Sequence, residues 1–248
     1  MSSESADCPV YPVFCRLASN NDSIFNSFKT SNVYNIILEN LSYETGIEYI
    51  NCFKHNKIII DNINKFKIND TLGRPKVYEY EIGWFSPTTL QYIKILSDLL
   101  KYNLNNTHII EIGPGYGGQY TILRQLFKPI KYTFIDLDPV LKLIKKYVSR
   151  LGLDDIELEY INYLDLPDKN ISDLVISNFS ISECDYNVQD KYISSIINHS
   201  AHGYILHNNL RGYDHIELIN KLKNNITIDE KLKNIDNTAL YNTVLLTW

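Results

Sequence analysis

The feature that most constrains this chain is the segment Glu111-Ile112-Gly113-Pro114-Gly115-Tyr116-Gly117-Gly118, a glycine-rich turn directly after an apolar run, His108 to Ile112, that reads as a strand. A helix from Gln119 to Phe127 is expected to follow. A strand that runs into such a turn and then a helix is a nucleotide-binding device. Its glycines let the backbone approach a ligand, and the helix N-terminus offers free N–H groups. Gly113, Gly115 and Gly118 also satisfy the GxGxxG pattern, so a dinucleotide-binding dehydrogenase is one reading of the turn, and tight packing alone is another.

Three features bear on the ligand, of which the second, Asp136, favours an adenosine ligand without choosing between dehydrogenases and methyltransferases. Glu111 closes the strand two positions before the first glycine, where dehydrogenases usually have an apolar residue and S-adenosylmethionine-dependent methyltransferases an acid. A carboxylate there suits a ligand carrying sulfonium and ammonium groups. Asp136 ends the next strand about 25 residues on, placed to accept both ribose hydroxyls of an adenosine ligand, with Leu137 beside it. The third strand then runs into Asn162-Tyr163, where Asn162 stands in the place of the more usual Asp that meets the adenine amino group.

The rest of the chain alternates strand, turn and helix in the manner of a parallel sheet. Strands are expected at Tyr132 to Leu137, Ile156 to Ile161, Leu174 to Ser177, Gly203 to His207 and Thr243 to Trp248. Helices are expected from Asp138, near Val188 to Asn198 and near His215 to Leu222. A further helix begins at Ser86-Pro87, with Ser86 as N-cap, Pro87 at the first helical position and Leu90, Ile93, Leu96 and Leu100 as its buried stripe. The expected fold class is α/β: a doubly wound, Rossmann-like, seven-stranded and mostly parallel sheet with an N-terminal helical cap. Residues 1–20 read as a flexible arm, because Pro9 and Pro12 interrupt any helix. Residues 21–85 read as a helical cap and an aromatic loop, and 86–248 as the ligand-binding core. The cap either packs on the sheet edge or closes over a substrate.

With 248 residues and 44% hydrophobic content, the chain is long enough for one large core. A formal net charge of −5 argues against nucleic acid as the main partner, because that binding depends on Lys and Arg neutralising phosphates. No membrane-sized apolar run appears, and Met1 to Asp7 is polar and acidic, so a cytoplasmic location is expected. Cys8, Cys15, Cys52 and Cys184 lack metal-ligand spacing and read as reduced thiols. No carboxylate or histidine cluster resembles an oxygen-ligand site, and no metal is expected.

Taken together, Ser86-Pro87-Thr88-Thr89-Leu90 with Tyr92 and Ile93, the glycine turn with Gln119, Tyr132 to Leu137, and Asp173-Leu174-Val175-Ile176-Ser177-Asn178-Phe179-Ser180-Ile181-Ser182-Glu183 resemble the sugar O-methyltransferases, a branch of the class I S-adenosylmethionine-dependent enzymes. The resemblance spans about Leu72 to Asn209 and departs at Pro114, where that family often has glycine. It implies S-adenosyl-L-methionine as cofactor, held by Glu111, Gly113, Gly115, Tyr116, Gly117, Gln119, Asp136, Leu137, Asn162, Tyr163 and Asn178. It also implies a methyl acceptor that is a sugar or nucleotide sugar.

Ligands of open α/β sheets lie beyond the carboxyl ends of the strands. The candidate general bases are therefore Glu183 first and His207 second, with Ser182 and Asn208 beside the acceptor. Arg211 is a candidate grip on a diphosphate, and Tyr80 and Trp84, from an aromatic set that includes Tyr78, are candidates to stack on a sugar ring. Each has a purely structural alternative: helix capping for Glu183, packing at the sheet end for His207, a surface ion pair for Arg211 and core packing for the aromatics. Methylation of an amine or another small molecule, and a cofactor-binding scaffold without turnover, remain open beside the sugar reading. So does assembly as a homodimer.

Overall fold

The computed structural model describes residues 10–209, 211–229 and 243–248. The chain opens with α1 (Val10–Asn20), the short helices α2 (Asp22–Phe25) and α3 (Asn32–Ile37), then α4 (Tyr43–Phe53) and α5 (Lys57–Asp61). A 3-10 segment, Ile63–Asp70, leads to a small antiparallel hairpin of β1 (Tyr78–Tyr80) and β2 (Gly83–Phe85). α6 (Pro87–Leu99) follows, then β3 (His108–Ile112), α7 (Gly118–Leu123), β4 (Lys131–Asp136), α8 (Asp138–Arg150), β5 (Glu157–Asn162), β6 (Ser172–Asn178) and α9 (Tyr186–Ser195). The last elements are β7 (Ser200–His207), α10 (His215–Lys221), β8 (Thr227–Asp229) and β9 (Val244–Thr247).

The large sheet has seven strands in the order β5-β4-β3-β6-β7-β9-β8, with β9 antiparallel to both of its neighbours and the pairs among β3 to β7 parallel. Parallel strands covered on both faces need apolar side chains in succession. β3 supplies them with Ile109, Ile110 and Ile112, all fully buried. Alternation then sorts each strand between two cores. Ile109, Phe134, Leu174, Ile176 and Tyr204 join one core, while Ile110, Ile112, Ile135, Val175 and Ile205 join the other. From β3 the chain runs outward through β4 to β5, then returns to β6 on the other side of β3, and a crevice opens at that reversal.

The helix expected at Ser86-Pro87 is present. Ser86 Oγ accepts from Thr89 N at 3.1 Å, and Leu90, Ile93 and Leu96 are fully buried, with Leu100 half-buried at the C-cap. Asp70 accepts from the Ser86 amide at 2.8 Å and from the Ser86 and Thr89 hydroxyls at 2.7 Å each, which ties the 3-10 segment to the start of α6.

Three expectations need correction. Residues 10–20 are not an arm but the helix α1, packed on α8 through buried Tyr11, Cys15 and Ala18. Pro12 falls in its first turn, where no intrahelical N–H is needed, so it does not interrupt the helix. The remainder of the expected arm, residues 1–9, lies outside the described residues. The aromatic loop contains the β1–β2 hairpin, with Tyr80 paired to Gly83 across a two-residue turn. Finally, β8 had no counterpart among the strands placed from sequence, because three residues at a sheet edge carry no periodic signal.

Candidate active site

Backbone geometry at the end of β3 builds one side of a cavity. Gly113 has φ +68° and donates its N–H to Ile135 O at 3.0 Å, and a Cβ there would stand 2.1 Å from the Ser180 side chain. Gly115 has φ +60° and lies under Leu38 of the cap, only 2.8 Å from where its Cβ would be. Neither position accepts a side chain without strain. Gly117 then caps α7.

The turn borders a cavity of about 250 Å³, lined also by Glu111, Asp136, Leu137, Tyr163, Asn178, Glu183 and Asn208 from the strand ends. These residues arrive together because β3, β4, β5, β6 and β7 run parallel and end on the same side. Its roof comes from the cap: Tyr11, Ile37, Leu38, Asn40 and Leu41. Gln91, Tyr92, Ile135, Phe179, Ser180, Cys184, Val188, Tyr192 and Thr243 complete the lining.

The electrostatics of this cavity are acidic. Glu111 is 2% exposed and accepts from Tyr132 Oη at 2.7 Å; burial raises its carboxyl to about 7 against that hydrogen bond. Asp136, half-buried and open to the cavity, is also raised to about 7 by desolvation, while the Leu137 amide donates to its Oδ1 at 2.7 Å and the nearby Glu183 charge adds to the rise. Two carboxyls raised by burial, with no ion pair to a cation among the described residues, fit a ligand that brings positive charge and hydroxyl donors.

Nine of the residues proposed from sequence therefore lie together: Glu111, Gly113, Gly115, Asp136, Leu137, Tyr163, Asn178, Glu183 and Asn208. The others lie outside the lining. Tyr116 is fully buried in an aromatic cluster with Phe28, Tyr34, Tyr92 and Tyr147, and Lys29 Nζ sits 4.1 Å from its ring centroid. It anchors the glycine turn from behind. Gln119 is fully buried and donates to Tyr92 O at 3.3 Å. Asn162 spends its carboxamide locally, accepting from Leu164 N at 3.0 Å.

The second base candidate, His207, is fully buried, its pKa lowered to about 4 by burial, with Nδ1 accepting from Asn209 N at 3.2 Å. It lies outside the cavity lining. Arg211 lies outside the cavity lining, with its guanidinium 3.8 Å from the Asp185 carboxylate. Tyr80 stacks on Tyr43 with centroids 4.9 Å apart, and Trp84 is 56% exposed on the hairpin, both away from the cavity. Ser182 is buried behind the wall.

Sequence reasoning missed the cap residues and Tyr92, whose approach depends on tertiary packing. Phe179 and Ser180 had a signal, because they follow Asn178 at a strand end. Phe179 holds φ +69°, rare for a residue with a side chain and frequent at ligand sites.

No protein-family model matches this sequence, and no curated protein is similar to it in sequence. Solved structures do resemble it. Geranyl diphosphate C-methyltransferase from Streptomyces coelicolor A3(2), solved with Mg2+, geranyl diphosphate and S-adenosyl-L-homocysteine, aligns with a TM-score of 0.50 at 13% identity, over 74% of this chain and 82% of that one. This is the class I methyltransferase fold. The PH0226 protein from Pyrococcus horikoshii OT3 aligns at a TM-score of 0.47 and 13% identity, over 63% of this chain and 88% of that one. The pyocyanin biosynthetic protein PhzM aligns at 0.47 and 11% identity, over 65% of this chain, which spans 56% of the length of PhzM.

Proposed function

We propose that this chain is an S-adenosylmethionine-dependent methyltransferase that methylates a hydroxyl of a small, sugar-like acceptor. The observation that carries this reading is the convergence of Glu111, the Gly113–Gly115 turn and Asp136 on one cavity at the strand ends. The solved methyltransferase with S-adenosyl-L-homocysteine adds support through the shared fold. Class I methyltransferase folds serve many acceptors, so the sugar rests on the sequence resemblance and on the cavity wall.

Glu111 pairs with the ammonium end of the cofactor, and the glycine turn admits its chain against the backbone. Asp136 accepts from the ribose hydroxyls, and Leu137 and Tyr163 border the adenine. When bound, S-adenosylmethionine would supply an electrophilic methyl group, with S-adenosylhomocysteine leaving as the C–S bond breaks and the C–O bond forms. Glu183, in the cavity lining, would take the proton of the acceptor hydroxyl.

Calorimetric titration with S-adenosylhomocysteine tests the reading. Micromolar binding is expected, weakened at least tenfold in Asp136→Ala, which loses two charge-assisted hydrogen bonds. A chain that does not bind the ligand is not a methyltransferase of this kind.

A further inference from the structure

Two lysines are almost wholly buried among the described residues, and they are buried differently. Lys94 Nζ lies 2.6 Å from the Asp98 carboxylate. Lys29, 1% exposed, donates instead to Asn69 O at 2.6 Å and to Tyr147 Oη at 3.2 Å, and its Nζ sits 4.1 Å from the Tyr116 ring centroid and 5.0 Å from that of Tyr147. Burial lowers its pKa to about 8, and the charges of Glu39 and Asp70 oppose the fall, so Lys29 is a cation at pH 7. Tyr116 stands between Gly115 and Gly117, and its hydroxyl accepts from Asn69 Nδ2 at 3.0 Å. Lys29 is thereby fixed directly behind the glycine turn. A methionine would fill the same space without the cost of burying a charge, so packing does not explain the lysine.

In front of the turn the cavity presents Glu111, Asp136 and Glu183, and its described lining includes no Lys, Arg or His. An S-adenosyl ligand brings a zwitterion into it: an ammonium that Glu111 attracts and a carboxylate that three acids repel. We propose that Lys29 serves ligand binding from behind the glycine turn, as the positive charge that lets this acidic cavity accept the carboxylate of an S-adenosyl ligand. The inference rests on the methyltransferase reading of the cavity. Lys29 touches no ligand and acts across the Tyr116 ring, so it is a positioning residue. Without it, the charges left behind the turn are those of Glu39 and Asp70, and both repel a carboxylate. Buried charges are screened little by salt, and unit charges about 10 Å apart at an effective dielectric of about 20 change an affinity about tenfold.

The test is calorimetry on the full chain at pH 7 with two ligands, S-adenosylhomocysteine and 5′-methylthioadenosine, which keeps the adenosine and the thioether but lacks the amino-acid end. A wild-type chain that binds neither would sink the methyltransferase reading itself, and this inference with it. Lys29→Met should weaken S-adenosylhomocysteine about tenfold and methylthioadenosine less than twofold, with the ligand-free melting temperature held or raised. Glu39→Gln removes a charge of the opposite sign from the same cluster, and should tighten S-adenosylhomocysteine two- to threefold with methylthioadenosine unchanged. Lys94→Met, at the other buried lysine, should lower the melting temperature and leave both affinities as they are. The proposal is overturned if Lys29→Met weakens the two ligands alike, which is what a packing role would do, or if it weakens neither. It is equally overturned if Glu39→Gln weakens S-adenosylhomocysteine, or if Lys94→Met reproduces the difference between the two ligands.

Discussion

At the scale of single residues, Glu111 couples ligand binding to pH. Its carboxyl is raised from the ordinary 4.5 to about 7 in the free protein, and it must be ionised to pair with a cation. Binding of S-adenosylhomocysteine therefore releases a proton below pH 7. Affinity should fall about tenfold per pH unit below 7 for each carboxyl that must ionise. Calorimetry in buffers of different ionisation enthalpy checks this, and a flat profile from pH 5 to 8 would contradict it. The same shift has the opposite sign for stability. A carboxyl whose folded value exceeds its unfolded one stabilises the native state below about 4.5, and that contribution is lost as pH rises through about 7. At pH 8 the ligand-free chain should carry a penalty on the order of 3 kcal/mol from Glu111. Glu111→Gln should accordingly melt higher than wild type at pH 8 and lose that advantage at pH 5, read by thermal denaturation without ligand.

Among the elements, those buried on both faces could be read in the sequence, and those defined by a neighbour could not. β3, β4, β6 and β7 stand out as apolar runs because helices cover both sides of the sheet, whereas β8 is a three-residue edge. The site divides along the same line. Glu111, Asp136, Asn178 and Asn208 follow from knowing where strands end. Tyr116 and Gln119 share that turn, yet their side chains point into the core, and no spacing rule separates the two directions. Leu38 and Tyr11 reach the cavity from far earlier in the chain. For α1, the structure gives a second role beside packing, since Tyr11 lines the cavity while Ala18 sits fully buried on the same helix. Ala18→Leu overpacks that fully buried position and should cost about 1–3 kcal/mol in urea denaturation. It should also weaken S-adenosylhomocysteine several-fold. Lower stability with unchanged affinity would leave α1 as packing only.

For the whole molecule, the cavity is floored by the ends of the parallel strands and roofed by residues of the cap, so cofactor binding and cap docking are linked. The roof residues Ile37, Leu38, Asn40 and Leu41 lie at the end of α3 and just after it, and the Leu38 carbonyl accepts from Thr88 Oγ1 at 3.2 Å, at the start of α6. On the other side of the turn, Tyr116 carries the cap's Lys29 over its ring. The glycine turn is thus held between the sheet below and the cap above. A ligand that contacts both must favour the docked cap, because it binds that arrangement more tightly than any in which the roof has lifted. Hydrogen exchange with and without S-adenosylhomocysteine measures the linkage. Amides of residues 36–41 should slow at least several-fold on binding, together with those of 113–119, while the distant edge at Thr227–Asp229 should not change. Slowing confined to 113–119 would mean that the roof is a fixed wall. Slowing of both would make the cap part of the binding reaction, and acceptor specificity would then be open to change through Leu38 and Leu41 without touching the sheet.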